Sequence, residues 1–192
     1  MSSFPCSVRQ CRRIEPPLSF DTSKPPSTMT SNLPPVASHP TEPSALIGHI
    51  LTRYHEVHRR QLPELIRMAA KVEAVHAGHE AAPTGLAALL TAMHTELLQH
   101  MEKEESILFP MLERGGNPFV VHPIGVMRTE HEEHAERLQH LLALTRNATP
   151  PADACTTWQQ LCAGVREFVD DLQQHIRLEN EVLFPQFEAQ RS

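Results

Sequence analysis

Four stretches of this chain carry apolar residues at alternating spacings of three and four, and in each of them histidine or glutamate takes places in the same stripe. The first reads Leu51, His55, His58, Leu62, Leu65, Ala69, Val72. The second reads Leu86, Leu90, Met93, Leu97, His100, Glu104, Ile107. The third reads Ile124, Met127, His131, His134, Leu138, Leu141, and the fourth Leu161, Val165, Phe168, Leu172, His175, Glu179, Val182. This is the period of helices that bury one face. Burying one unpaired charge costs several kcal/mol, so eight titratable groups in core slots leave no stable fold unless something compensates them. Histidine is the commonest metal ligand, and the chain holds 13 His against one Trp and one Tyr. Metal cations are the compensation the pattern calls for.

Breakers separate the stripes. The spacing predicts helices over about Ser44–His79, Gly85–Glu113, Pro123–Arg146 and Ala152–Ala189, bounded by Thr41-Glu42-Pro43, Pro83-Thr84, Gly115-Gly116 and Thr149-Pro150-Pro151. Short connections between long helices make antiparallel neighbours, so the expected fold is all-α, an up-down-up-down four-helix bundle over residues 44–192. Pro63 is expected to kink the first helix, and Pro110 and Pro185 to end the second and fourth, with Phe109 and Phe184 plugging the bundle end. Residues 1–43 read as a disordered, Pro/Ser-rich tail: nine of the 17 prolines fall in the first 44 residues, without an apolar period. Arg9, Arg12 and Arg13 suit a transit peptide, and Met29 an alternative start. The net charge of −6 argues against nucleic acid or an anionic membrane as partner, and no apolar run is long enough to span a bilayer. The expected compartment is the cytoplasm, with Cys155 and Cys162 as buried, reduced thiols.

Depth brings the polar positions together. Counted from one bundle end at about 1.5 Å per residue, His55, His100, Glu104, His131, His175 and Glu179 fall in one layer roughly 12 to 21 Å deep. Each His-x3-Glu pair shares a helix face and aims at one point. Four imidazoles and two carboxylates, one able to bridge, suit a two-metal site. Histidine-rich ligation suits iron ahead of copper or zinc, and Glu-x-x-His pairs of the ferritin-like kind do not occur in the core slots. His58 and His134 stand open between a fifth ligand and outer hydrogen-bond partners of the ligands. Glu56, Glu105 and Glu130, each beside a candidate ligand, are candidates to orient imidazoles or relay protons, whereas His76 reads as a bundle-end histidine. The segments His100–Glu113 (HMEKEESILFPMLE) and His175–Glu188 (HIRLENEVLFPQFE) match in register, and His-Glu-x-His occurs at both His55–His58 and His131–His134. A pseudo-two-fold bundle around a dinuclear centre has that repetition.

The stretches RYHEVHRRQLPEL, KVEAVHAG, HTELLQHMEKEESILFPM, TEHEEHAERL and ACTTWQQLCAGVREFVDDLQQHIRLENEVLFP, over about Thr52 to Pro185, resemble the hemerythrin-like HHE cation-binding bundles. More closely they resemble the RIC (repair of iron centres) family of di-iron proteins. The resemblance implies a hemerythrin-like fold and two non-haem iron ions, oxo- or hydroxo-bridged. It implies His55, His100, His131 and His175 as ligands, with Glu104 and Glu179 as bridging carboxylates, the six that the periodicity selects. It further implies a role in repairing iron–sulfur clusters damaged by nitrosative or oxidative stress. Iron donation and nitric oxide binding or reduction are both compatible with it, and damaged iron–sulfur proteins would be the transient partners. Whether the chain is an enzyme stays open between these. The alternatives are reversible O2 binding or sensing, which needs a fifth histidine, and a partner-binding bundle in which metal is only structural. Two departures stand out. The family's small N-terminal domain with an adjacent Cys-Cys pair is replaced by a tail in which Cys6 and Cys11 are apart, and His134 stands where a small residue is expected.

Overall fold

The computed structural model describes residues 40–188, and all regular structure among them is helical. The tail expected over residues 1–43, with Cys6 and Cys11, lies outside the described residues apart from Pro40–Pro43. Four rods make the bundle. The first joins α1 (Pro43–Ile50) to α2 (Glu56–Val75), the second α3 (Leu86–Lys103) to α4 (Phe109–Glu113). The third is α5 (Val121–Leu144), and the fourth joins α6 (Thr156–Leu178) to α7 (Pro185–Glu188). α2 packs on α3 and α6, and α5 packs on the same two. Glu42 caps α1 by accepting from the Ala45 N–H at 3.0 Å, so the Glu-Pro pair does start the first rod.

Three rods are interrupted by one π-turn each, at Leu51–His55, Glu104–Leu108 and Glu179–Leu183. Each is closed by an i→i−5 bond: Glu56 N–H to Leu51 O, Phe109 N–H to Glu104 O, and Phe184 N–H to Glu179 O. A π-turn inserts one residue and rotates everything after it. The stripes therefore do not continue to Ile107 and Val182. Ile107 is 54 % exposed, Val182 is half-buried, and Leu108 and Leu183 take the core positions. Pro110 and Pro185 do not end their rods; each sits in the first turn of a further short helix, where a missing N–H costs nothing. α2 runs across Pro63 as one helix, and the irregularity of the first rod lies before it, at Leu51–His55.

Other boundaries shift for local reasons. α2 ends at Val75 with His76 as its C-cap, and α6 begins at Thr156 with extended Cys155 as its N-cap, four residues later than the periodicity suggested. α5 ends at Leu144 because Arg146, Asn147 and Ala148 adopt left-handed φ of 52°, 56° and 53°. Gly115 and Gly116 close the second rod with φ of 90° and 68°, a conformation that favours glycine.

The apolar core is in two parts. One runs from Leu62 through Leu90, Leu138 and Phe168 to Leu172; the other gathers Leu46, Ile50, Leu108, Ile124 and Phe184. Between them, in all four rods, lie the eight polar positions of the stripe, at most 5 % exposed.

Candidate metal centre

The six donors converge into two groups: His55, His175, Glu104 and Glu179, and His100, His131, Glu104 and Glu179, each with its donor atoms within 4.8 Å of one another. Both groups use both carboxylates. Glu104 turns Oε2 to His55 Nε2 at 3.4 Å and Oε1 to His100 Nε2 at 3.4 Å. Glu179 turns Oε1 to His175 Nε2 at 3.2 Å and Oε2 to His131 Nε2 at 3.1 Å. The imidazoles pair the same way, His55 Nε2 to His175 Nε2 at 3.2 Å and His100 Nε2 to His131 Nε2 at 3.1 Å. Donors about 2.1 Å from one cation and at right angles to each other are separated by about 3.0 Å, and at the tetrahedral angle by about 3.4 Å. All six distances have that spacing, which suits one cation in each group.

The polar bookkeeping points the same way. Both oxygens of Glu104 and Oε2 of Glu179 are fully buried with no hydrogen-bond partner. A buried carboxylate left so costs several kcal/mol, and a cation at each pair of oxygens removes the penalty. Without cations the cluster would hold protons instead. Burial works against charging His100, but Glu104, Glu179 and Glu130 outweigh it and push its pKa up to about 9; Glu104, Glu179 and Glu105 likewise raise His55 against its burial. His175 goes the other way: its burial outweighs the carboxylates and lowers it. Burial works against both carboxylates, yet the neighbouring imidazoles win: Glu179 is held well below its ordinary range, Glu104 lowered despite the added repulsion of Glu179.

The far sides of the rings set their orientation. His55 Nδ1 lies 2.7 Å from Glu105 Oε1, which also accepts from Arg59 at 2.8 Å. His100 Nδ1 lies 2.9 Å from Glu130 Oε2, whose other oxygen accepts from Lys103. His131 Nδ1 lies 2.9 Å from Asn180 Oδ1. Each contact fixes the Nδ1–H tautomer and aims the Nε2 lone pair inward. Glu105 and Glu130 thus orient imidazoles as expected, whereas Glu56 is exposed. Asn180 escaped the sequence reading, although it sits opposite Glu105 in the internal repeat. His175 Nδ1 has no partner; its ring lies against Tyr54 instead, 5.2 Å between centroids. Phe109 and Phe184, expected as end plugs, are buried against candidate ligands: Phe109 stacks on His55 and Phe184 on His131. Arg53 and buried Asp171 form a two-pronged ion pair at 2.6 and 2.7 Å that ties the first π-turn to α6. A pocket of about 350 Å³ lined by Leu51, Arg59, Glu105 and Phe109 brings solvent to the outer face of Glu105, one hydrogen bond from His55.

His58 and His134 are not in either donor group. His58 is fully buried with both ring nitrogens unpartnered, its ring centroid 5.5 Å from that of His175. His134 has an unpartnered Nε2 and stands edge-on to His100 at 5.0 Å. Burial, reinforced by nearby imidazoles, lowers them to about 2 and about 3, so both are neutral near pH 7. His76 lies about 31 Å along the rod from His55, counted at 1.5 Å per residue. Cys162 is buried as expected, but Cys155 is exposed, because it precedes α6 instead of lying within it.

The hemerythrin HHE cation-binding domain matches residues 46–187. The iron-sulfur cluster repair protein YtfE of Enterobacter sp. (strain 638) is 54 % identical over 140 residues, which is 73 % of this chain and 64 % of that protein. YtfE of Citrobacter koseri and of Escherichia coli O1:K1 are each 52 % identical over the same shares. The chain thus spans 64 % of the length of these relatives. With that match covering all four rods and the donor layer between them, the chain belongs to the hemerythrin HHE cation-binding domain family.

Proposed function

We propose that this chain is a non-haem di-iron protein that takes part in repairing iron–sulfur clusters damaged by nitrosative or oxidative stress. The observation that carries the reading is the sharing of Glu104 and Glu179 between two four-donor groups. A single-cation site has no use for two carboxylates that each face two ways. Kinship with iron-sulfur cluster repair proteins supports the choice of iron and of process. Bound there, two irons would supply either Fe(II) to a damaged cluster or one electron each toward reduction of nitric oxide.

The chain's own residues fit such a role. His55, His100, His131 and His175 would hold the irons with Glu104 and Glu179. Glu105, Glu130 and Asn180 hold three of the rings in register, and the buried side chains of Leu97, Phe168 and Leu172 keep bulk water from the layer. His175 Nδ1 has no hydrogen-bond partner, and packing against the rings of Tyr54 and His58 holds it instead. A ligand with that looser support gives way more readily than its three counterparts, which suits iron transfer. His58 and His134 support the rings nearest them in this reading. Dioxygen carriage requires a fifth imidazole on one iron and has less support, since both lie outside the donor groups. No helix among the described residues is long and apolar enough to cross a membrane, and the working compartment proposed is the cytoplasm.

The test is anaerobic purification with iron analysis and Mössbauer spectra before and after nitric oxide. A coupled pair of irons per chain whose spectrum changes on exposure is expected, with repair of a damaged cluster protein lost in His175→Ala. Undiminished repair by a variant that holds no metal would overturn the reading.

A further inference from the structure

At the end of the bundle remote from the donor layer, the C-terminus of α2 meets the N-terminus of α6. His76 is the C-cap of the first and Cys155 the N-cap of the second, and His76 Nε2 lies 3.2 Å from Cys155 Sγ. Cys155 is exposed, and its carbonyl, not its side chain, makes the first bond of α6, accepting from Gln159 N–H at 3.0 Å. The His76 ring packs on the chain's one tryptophan, Trp158, at 4.9 Å, which fixes its orientation. A nucleophile within reach of a base that a third group orients is the arrangement that activates thiols.

The neighbouring groups do not compete for the proton. His79 also packs on Trp158, but its Nδ1 accepts from Ala81 N–H at 3.0 Å and its Nε2 faces Asp153 Oδ2 at 3.2 Å. His79 is thus committed to its own partners and leaves His76 as the base for Cys155. No comparable base is shown at Cys162, which is buried in the core, where burial also pushes its thiol up.

We infer that Cys155 and His76 form a reactive thiol–imidazole couple that takes up a low-molecular-weight disulfide as a mixed disulfide. His76 takes the thiol proton, and Cys155 Sγ attacks one sulfur of the disulfide. The new S–S bond forms as the old one breaks, and the departing thiolate leaves as a thiol with the proton from His76. Cys155 is oxidised and the departing half of the reagent reduced, so the exchange needs no other reactant. This site is independent of the metal layer.

The test uses the full chain with oxidised glutathione near pH 7, following the mixed disulfide at each cysteine by peptide mass spectrometry. Cys155 is expected to react, Cys162 to stay free, and His76→Gln to slow Cys155 by about tenfold or more. His79→Gln is expected to leave the rate within twofold, and circular dichroism and iron content to be unchanged in both variants. An unchanged Cys155 rate in His76→Gln overturns the inference. Equal slowing in both histidine variants also overturns it, because local packing would then explain the reactivity.

Discussion

The ring of Tyr54 lies parallel to that of His175, with 4° between their planes and 5.2 Å between their centroids. In the other half of the bundle the corresponding support is an ion: Glu130, which precedes His131 as Tyr54 precedes His55, holds His100 through Nδ1 at 2.9 Å. The pseudo-symmetric halves therefore orient equivalent imidazoles by different physics, one by dispersion and one by a charge-assisted hydrogen bond. Tyr54→Ala removes the ring stacked on His175, and loss of a ligand's outer partner typically costs 10- to 100-fold in metal affinity, about 1.4 to 2.7 kcal/mol. Tyr54→Phe keeps the ring and is expected to bind as the parent does. Chelator competition under anaerobic conditions measures both.

Glu104 faces both donor groups, whereas His131 faces one. Glu104→Ala is therefore expected to drop bound metal from about two per chain toward zero, and His131→Ala to leave about one. Metal analysis of both variants, with circular dichroism to confirm the helices, decides it. Equal stoichiometry in the two would show that the carboxylate is not shared.

Metal uptake should expel protons. In the metal-free protein His100 is raised to about 9, so at pH 7 its Nε2 carries a proton that a cation must displace, and Glu104 and its neighbouring carboxylates raise His55 in the same direction. Apparent affinity is expected to increase with pH up to about 9 and then level off. Titration calorimetry in buffers of different ionisation enthalpy should show proton release at pH 7; its absence would refute the assignment.

His58 and His134 make the metal-free fold lose stability in acid. Their folded values of about 2 and about 3 lie below the ordinary 6.5, so below pH 6.5 the unfolded chain takes up protons that the folded one does not. The share of stability these two groups govern is then complete above pH 6.5 and falls as pH drops toward 3, by about 1.4 kcal/mol per pH unit for each group. Between pH 6.5 and 5 one such histidine costs about 2 kcal/mol. His134→Leu is expected to remove that share of the loss, which urea unfolding of the metal-free proteins at the two pH values measures.

The rods and the convergence of the six candidate donors were legible in the sequence because both rest on local geometry. Residues three and four apart share a helix face whatever the helix packs against, so His100 with Glu104 and His175 with Glu179 had to point together. Depth along rods joined by short loops then placed all six in one layer. The repeat that pairs Glu105 with Asn180 also held the partner of His131, a clue available to pattern alone.

Other features needed the fold. The spacing of Glu104 to Ile107 is as helical as the rest of its stripe, yet the π-turn puts Ile107 outside and Leu108 inside. Nothing in a side-chain pattern registers a change of backbone bond from i−4 to i−5, whose energy is settled by what the rotated residues meet across the bundle. The same holds for Tyr54 on His175, Asp171 on Arg53 and His76 beside Cys155, which belong to different rods. Sequence determined which groups each helix presents, because helical geometry is a property of neighbours along the chain. Tertiary structure decided which groups meet, because those distances depend on packing between rods far apart in sequence.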